Sequence, residues 1–485
     1  MWRFTKAIFY CAAPVLLVAA APVWDSGPWL ADLAQIRAAI ETNYPNRDWL
    51  VGEREVSLDR WFDRTADAIR ASRSDADARR ALDNLIERFN DGHVSLRWPV
   101  TTAEESSGLR QQLDPQQTPS IPAFCATQGY DAGQVTAGTA ATLPGYRKVE
   151  SGGPFQAGLV PVKDTTIGVI RIGVFSPQGY PTVCEQAVAN VQIAFRKPCD
   201  AACDDRLLTE SYAIMTRGLI TTAERLRAAG AQVLMVDLTR NGGGTEWAEA
   251  AARIVSPVSL RSAQVAVMRS DAWVSRWNDL AMKLRREARN TSSADHAKLL
   301  ELSALAEKTA NGLKPCAGAA CSRLAEAGFA SGLLAELPSG QLDGKKWAVD
   351  VFSPAQFPYR DSVWKGPLIV LVDSETWSAA EQFTALLQDN GAAIVTGTRT
   401  GGAGCGHLDG NDPITLTHSG AKLELPNCVR FRRDGTNEVN GIVPDVSTGV
   451  RWNDGPTFAG QITSSRLAEA VAKARALLIS KAPSS

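Results

Sequence analysis

A serine between a predicted strand and a predicted helix is the leading candidate for chemistry in this 485-residue chain. The short apolar run at 368–372 predicts a strand that is buried on both faces. From Ser378 onward the apolar residues recur at helical spacing. Backbone N–H groups converge at a helix start, so Ser378 is placed to act as a nucleophile beside an anion hole. The commoner role of such a serine is helix capping, which the local pattern alone favours.

Three consecutive glycines follow a second predicted strand. The apolar segment 232–236 leads into DLTRNGGG, Asp237 to Gly244, and then into a helical segment. Glycines at such a turn allow the backbone to approach a ligand closely and to direct amides toward it. Taken alone, this segment would also suit a flexible turn.

The two segments together resemble signature motifs of the carboxyl-terminal-processing (tail-specific) serine peptidases, whose relatives include the tricorn peptidase core. Asp237 to Gly244 resembles the motif "D-L-R-x-N-x-G-G", with Thr239-Arg240 in place of Arg-Gly. The segment Ser378-Ala379-Ala380-Glu381 resembles the nucleophile motif "S-A-S/A-E". The following "G-x-x-T-x-G" is matched by Gly397, Thr400 and Gly402.

The resemblance implies an α/β fold: a crotonase/ClpP-like domain of spiralling ββα units behind an N-terminal all-helical domain. A charged helical pattern at 272–333 interrupts the alternation and predicts a helical insertion, either a surface elaboration or a lid or interface element. The predicted organisation is a signal peptide at 1–21, a helical domain at 22–96, a loop-rich and β connecting region without a clear PDZ module at 97–164, the peptidase domain at 165–460 and a C-terminal helix at 461–485.

The general base is the main question that the motifs leave open. Tail-specific members use a lysine, and the matching position here is Ala403. A serine hydroxyl is a poor nucleophile unless a neighbour accepts its proton, so either another base exists or the protein is inactive. The segment Asp91-Gly92-His93 resembles the position of the tricorn-like catalytic histidine, which implies His93 as the base. His407, in a glycine-rich loop, is the alternative.

The same resemblance implies Glu438, in EVNGIVPDV, as the acid that orients the histidine. Tricorn-like members carry a serine just before the histidine, where this chain has Gly92. Glu438 could therefore bond His93 directly or through water, or Asp91 could replace it.

The oxyanion donors implied by the motifs are the backbone N–H groups of Ala379 and Gly244, or of Gly243 if the turn differs. Gly243 and Gly402 are further candidates for substrate contact. Asp237 and Asn241 are expected to hold the shape of their loop. For Glu381 we expect a helix-surface role, with binding of a substrate amine as the alternative. No metal or cofactor is needed for this chemistry.

The N-terminus and the cysteines indicate export. MWRFTKAIFYCAAPVLLVAAAP has a basic start, an apolar run and small residues, as in a secretory signal peptide. Removing Cys11 with this segment leaves eight of nine cysteines, an even number that favours disulfides over a zinc site. The proposed pairs are Cys199–Cys203, Cys316–Cys321, Cys125–Cys184 and Cys405–Cys428, among 105 possible connectivities.

A formal net charge of −1 gives no indication of nucleic-acid binding, and no stretch beyond the N-terminus suggests membrane insertion. The sequence therefore predicts a periplasmic or secreted serine endopeptidase or processing peptidase that acts through an acyl-enzyme on Ser378. Its partners would be peptide or protein substrates, and an oligomer is possible. The alternative is a catalytically inactive binding protein of the same fold that carries a hydrophobic ligand or a peptide.

Overall fold

The computed structural model describes residues 24–99, 120–196, 198–291, 293–318, 321–408 and 412–481. The predicted signal peptide at 1–21 lies outside these residues, as does the 100–119 part of the predicted connecting region.

The described elements are numbered here in chain order. The helices are α1 (Gly27–Asn43), α2 (Arg47–Gly52), α3 (Leu58–Ala71), α4 (Asp75–Glu87), α5 (Ile121–Thr127), α6 (Pro181–Asn190), α7 (Ala201–Ala228), α8 (Trp247–Val255), α9 (Asp271–Arg289), α10 (Ser293–Gly312), α11 (Ala348–Val351), α12 (Ala379–Asp389) and α13 (Pro456–Lys481). The strands are β1 (Ser95–Arg97), β2 (Arg147–Val149), β3 (Gln156–Val162), β4 (Thr165–Arg171), β5 (Val233–Asp237), β6 (Gln264–Met268), β7 (Leu324–Phe329), β8 (Leu368–Val372), β9 (Ile394–Gly397), β10 (Ile414–Thr415), β11 (Lys422–Glu424), β12 (Cys428–Arg430) and β13 (Val446–Ser447).

The N-terminal domain consists of helices α1 to α4, and the chain leaves it through the turn that carries His93. The side chains of Ser57 and Ser74 cap α3 and α4, each accepting a backbone N–H of the first turn. The apolar faces of the helices pack around a core that includes Ile36 and Phe89. The β10–β11 hairpin contributes to the same core, and β1 pairs with β11. This packing joins the helical domain to a distant part of the chain.

Seven strands form the central sheet, in the order β13-β9-β8-β5-β4-β3-β2. From β4 to β13 neighbouring strands run parallel, while β2, β3 and β4 are antiparallel. Every residue of β5 and β8 is buried, as their continuous apolar sequences predict. Val236 of β5 lies in register with Val370 of β8. The loops that follow these two strands therefore leave the sheet from the same edge, which brings the two sequence motifs together.

The structure differs from the sequence prediction at one domain boundary. Strands β2 and β3 precede the expected boundary at 164/165 but belong to the central sheet, because β3 pairs with β4 over its full length. The connecting region and the peptidase domain therefore share one sheet.

The insertion builds a smaller layer beside the central sheet. Helices α9 and α10 pack on each other through residues such as Leu284 and Leu302, as the charged helical pattern predicts. The insertion ends in a strand, β7, which completes an antiparallel sheet in the order β12-β6-β7. In the described ranges, no helix combines the length and the apolarity that a membrane span requires.

The disulfides in the structure join the same cysteines that the sequence analysis paired. They are Cys125–Cys184, Cys199–Cys203, Cys316–Cys321 and Cys405–Cys428. The last of these ties the glycine-rich loop after β9 to strand β12.

Removing the Cys405–Cys428 bridge should destabilise the protein more than removing a short-range bridge. Its cysteines are 23 positions apart, so chain entropy predicts a loss of about 3 kcal/mol in the free energy of unfolding for the Cys405→Ala/Cys428→Ala variant. Cys316 and Cys321 are 5 positions apart, which predicts about 2 kcal/mol for the matched double variant. Urea unfolding of both measures the difference, and an equal or reversed order would contradict this prediction.

Candidate active site

Ser378 occupies a strained turn between β8 and α12. Its φ of 52° and ψ of −117° correspond to the first central position of a type II′ turn, where a residue with a side chain is rare. Such strain costs on the order of 1–3 kcal/mol and persists only where neighbouring contacts impose it. Here the N–H of Trp377 donates to the carbonyl of Asn241 at 2.9 Å. The N–H of Ser378 donates to Glu381 Oε2 at 3.0 Å. A sharp strand-to-helix turn of this kind presents the serine hydroxyl for attack.

The glycine loop packs directly against this turn. At Gly243, with φ of +109°, a Cβ would lie 2.8 Å from Ser378 Cβ and 3.0 Å from the backbone nitrogen of Ala379. Only glycine allows that approach. The Asn241 side chain holds the loop, accepting the N–H of Gly243 at 2.8 Å and donating to the carbonyl of Ile172 at 2.9 Å.

Asp237 also supports this loop, as expected. Its carboxylate accepts the backbone N–H groups of Ala140 at 2.8 Å and of Thr239 at 3.0 Å. Asp237 and Asn241 are thus fully engaged in the shape of the loop.

His93 reaches Ser378 from the N-terminal domain. Its Nε2 lies 3.1 Å from Ser378 Oγ, and its Nδ1 lies 2.8 Å from the carbonyl oxygen of Ala403. A carbonyl only accepts hydrogen bonds, so Nδ1 carries the proton and Nε2 presents its lone pair to the serine hydroxyl. This is the arrangement that a general base requires.

Small residues make room for the histidine and for the tryptophan beside it. A Cβ on Gly406 would lie 2.5 Å from His93 Nε2. A Cβ on Gly92 would lie 2.4 Å from the ring of Trp377. The Trp377 ring therefore fills the space that a serine at position 92 would need, which accounts for the departure of this chain from the tricorn-like pattern.

Glu381 connects the serine turn to the loop that holds the histidine. Its carboxylate is fully buried and accepts four hydrogen bonds. Oε2 accepts the N–H groups of Ser378 at 3.0 Å and Ala403 at 2.8 Å. Oε1 accepts the hydroxyl of Thr400 at 2.5 Å and the N–H of Gly402 at 2.8 Å. Burial raises the pKa of this carboxyl, and the hydrogen bonds from Thr400, Ala403 and Gly402 oppose that rise. The expected helix-surface role of Glu381 is therefore wrong.

The imidazole of His93 is held in its neutral form. Burial is the main cause that lowers its pKa, and the positive charge of Arg430 lowers it further. The hydrogen bond to Ala403 and the negative charge of Glu438 act in the opposite direction. With the pKa below the ordinary value of 6.5, His93 is a neutral base at neutral pH.

Ser378 and His93 open into a cavity of about 230 Å³. Gly244 and Ala379 line the same cavity. Within the described part of the chain, neither backbone N–H of these two residues has a hydrogen-bond acceptor. Two unengaged amides beside a serine hydroxyl are suited to binding an oxyanion.

Comparison with known protein families shows which family has this site. The family model described as Peptidase family S41 matches residues 208–448, which include the glycine loop, Ser378 and Glu438. The chain belongs to peptidase family S41. It is a serine-type peptidase, as the motifs predicted, although His93 lies outside the matched residues.

Solved structures share the fold of this S41 peptidase over almost its whole length. Mature CPAF matches with a TM-score of 0.58 and 14% identity, covering 95% of this chain and 99% of the other. Mature CPAF complexed with lactacystin gives 0.57 and 14% identity over 94% and 99%. A CPAF mutant gives 0.56 and 15% identity over 95% and 99%. The predicted fold class is confirmed. A search of curated proteins found no match.

The structure does not place Glu438 on the histidine. Its carboxylate is paired with Arg430, which donates from Nε at 2.6 Å and from Nη2 at 2.5 Å. Arg430 also donates to the carbonyl of Gly404 at 3.1 Å. In this geometry Glu438 supports the glycine-rich loop through Arg430, because the partner of His93 Nδ1 is the carbonyl of Ala403.

The prediction that Gly243 and Gly402 contact the substrate is not supported by the structure. The N–H of Gly243 is engaged by Asn241, and that of Gly402 by Glu381. Neither is available to a substrate or an oxyanion, which leaves Gly244 as the donor from its loop.

The alternative base, His407, lies close to the site without reaching the serine. Its ring centroid is 5.9 Å from that of His93, and its side chain lines the catalytic cavity. Burial and the neighbouring His93 both lower the pKa of His407. His418 lies in the turn between β10 and β11, with its ring against Trp29.

Sequence reasoning missed the carbonyl of Ala403 and the side chain of Arg430. Backbone carbonyls have no sequence signature, but one signal was present. Where tail-specific members carry a lysine, this chain has Ala403, and the missing lysine indicates a base that comes from elsewhere in the chain.

His93 should be indispensable, whereas His407 should not. His93→Ala should lower kcat by a factor on the order of 10⁴, because base and nucleophile act as a unit. In the wild type, kcat/KM should rise with pH through one ionisation whose midpoint lies below 6.5, since burial lowers the pKa of His93. His407→Ala is the control and should keep most of the activity. An active His93→Ala enzyme together with an inactive His407→Ala enzyme would assign the base to the glycine-rich loop.

Proposed function

We propose that this S41 peptidase is an exported endopeptidase or processing peptidase that cleaves peptide bonds through an acyl-enzyme on Ser378. The observation that carries the proposal is the 3.1 Å contact between His93 Nε2 and the hydroxyl of a serine in a strained turn. A neutral imidazole with its Nδ1 proton committed to Ala403 can only accept at Nε2.

In the first half of the reaction, Ser378 Oγ attacks the carbonyl carbon of the scissile peptide bond and passes its proton to His93 Nε2. The carbonyl oxygen becomes an oxyanion, which the N–H groups of Gly244 and Ala379 stabilise. The C–N bond then breaks, and the amine leaves with the proton from His93. Serine and acyl group are now joined as an ester.

In the second half, a water molecule takes the place of the amine. His93 accepts a proton from the water as its oxygen attacks the ester carbonyl, and the same two amides stabilise the second oxyanion. Collapse of this intermediate returns the proton to Ser378 Oγ and releases the carboxylic acid. Every group in the cycle is supplied by this chain, the peptide or water.

Export is supported by two independent features. The N-terminal segment has the pattern of a signal peptide, and four disulfides are typical of proteins that fold in an oxidising compartment. We therefore propose a periplasmic or secreted location.

The alternative, an inactive carrier of the same fold, rests on the absence of the family lysine. In the structure His93 supplies a base to the same serine, and a carrier would have no use for this contact or for the strain at Ser378. The peptidase is therefore the function that the geometry supports best.

A fluorophosphonate probe distinguishes the two functions. The wild-type protein should be labelled on Ser378 and should hydrolyse peptides. Ser378→Ala should abolish both while leaving the melting temperature nearly unchanged, because only one oxygen is lost. Ser374→Ala, an exposed serine of the same turn, is the control and should be labelled normally. A wild-type protein that is not labelled, or labelling that persists in Ser378→Ala and maps to Ser374, would refute the proposal.

A further inference from the structure

A second and larger cavity opens beside the catalytic one. Its volume is about 850 Å³, and it lies between helix α9 of the insertion, the turn after β7 and helix α11. Glu246, Ala330 and Leu408 line both cavities. The two cavities therefore adjoin each other, and the larger one is a neighbouring space for a chain bound across Ser378.

Three aromatic side chains lie among the apolar and charged residues that line the larger cavity. Trp273 and Trp277 come from α9, and Phe329 is the last residue of β7. The guanidinium of Arg276 lies 5.0 Å from the ring centroid of Trp273. Aromatic rings in a cavity wall offer a large, rigid apolar surface on which an apolar side chain can pack.

We propose that this cavity is the specificity subsite of the enzyme, and that it binds a large aromatic or aliphatic side chain of the peptide substrate. The proposal rests on the proposed function, since it takes the occupant to be the peptide whose scissile bond lies at Ser378. The three shared lining residues favour that occupant, because a peptide bound at Ser378 extends beyond the catalytic cavity into a neighbouring space.

The mixed character of the walls favours a peptide over a lipid. Lys283 and Asp350 form an ion pair of 2.7 Å at the cavity, and Arg286 lies on the same face of α9. A lipid chain would bury this charge against hydrocarbon at a cost. A peptide can place one apolar side chain between the aromatic rings while its backbone contacts the polar groups.

The subsite also gives the insertion a role. Without α9 the cavity would lose the wall that carries both tryptophans. The insertion is then part of the substrate site and not a surface elaboration, one of the two interpretations that the sequence left open.

The test uses a peptide library from a digested cell proteome, with cleavage sites mapped by mass spectrometry. In the wild type, Phe, Tyr, Trp and Leu should be enriched about tenfold or more at one fixed position relative to the cleaved bond. Ala272→Trp, which adds bulk at an exposed lining position, should abolish that enrichment. Trp273→Ala, which removes one aromatic wall, should weaken it several-fold. Met282→Ala, an exposed residue of α9 outside the cavity lining, is the matched control and should keep the wild-type preference.

A binding measurement separates this proposal from the proposed function. The same library is passed over immobilised Ser378→Ala protein with and without Ala272→Trp, and retained peptides are identified. Retention of aromatic and aliphatic peptides that Ala272→Trp abolishes supports the subsite even if the wild type proves unable to cleave. Cleavage without any aromatic or aliphatic preference, or a preference unchanged in both Ala272→Trp and Trp273→Ala, overturns the subsite and leaves the peptidase intact. Retention of a fatty acid that is offered to the same immobilised protein, without retention of peptides, overturns it as well.

Discussion

The buried carboxylate of Glu381 is the interaction on which the catalytic geometry depends. One oxygen accepts the N–H groups of both Ser378 and Ala403, and the carbonyl of Ala403 in turn binds His93 Nδ1. His93 Nε2 in turn contacts Ser378 Oγ, which completes a ring of contacts. Nucleophile and base come from segments 285 positions apart, yet a single side chain sets the positions of both. Because four donors surround this carboxylate, its charge is stabilised despite burial.

The site is consequently shared between two parts of the chain. The turn of His93 is held in the N-terminal domain by Asp91, whose carboxylate accepts the N–H of His93 and the hydroxyl of Tyr44, each at 3.0 Å. Burial raises the pKa of Asp91 to about 6. Asn46, which also donates to Asp91, accepts a hydrogen bond from Asn437 in the peptidase domain at 2.7 Å. Activity therefore requires the helical domain to pack against the peptidase domain. The function of these N-terminal helices in catalysis is to position His93, the general base.

Secondary-structure elements and motifs could be predicted from the sequence where they depend on residues close together in the chain. The apolar strands β5 and β8, the helix after Ser378 and the helical N-terminal domain follow from residue periodicity. The parallel arrangement that brings the two motifs together follows from their position after neighbouring strands. Contacts between segments distant in the chain were harder to predict. The sequence could not show that Glu438 pairs with Arg430, that Glu381 is buried or that Ala403 binds the histidine, since each depends on how separate loops pack. The domain boundary predicted at 164/165 falls between two paired strands for the same reason, because strand pairing is a long-range property.

The measurement that tests this account most directly is the steady-state kinetics of Glu381→Gln, with Glu375→Gln as the exposed control. The substitution keeps the shape but turns one oxygen into an amide nitrogen. That nitrogen would face two donors, either those of Ser378 and Ala403 or those of Thr400 and Gly402, and would loosen the contact between the serine turn and the glycine-rich loop. We expect kcat to fall on the order of 10²-fold with little change in KM, since positioning and not binding is lost, while Glu375→Gln stays near the wild type. A folded Glu381→Gln enzyme with wild-type kcat would show that the carboxylate does not set the catalytic geometry.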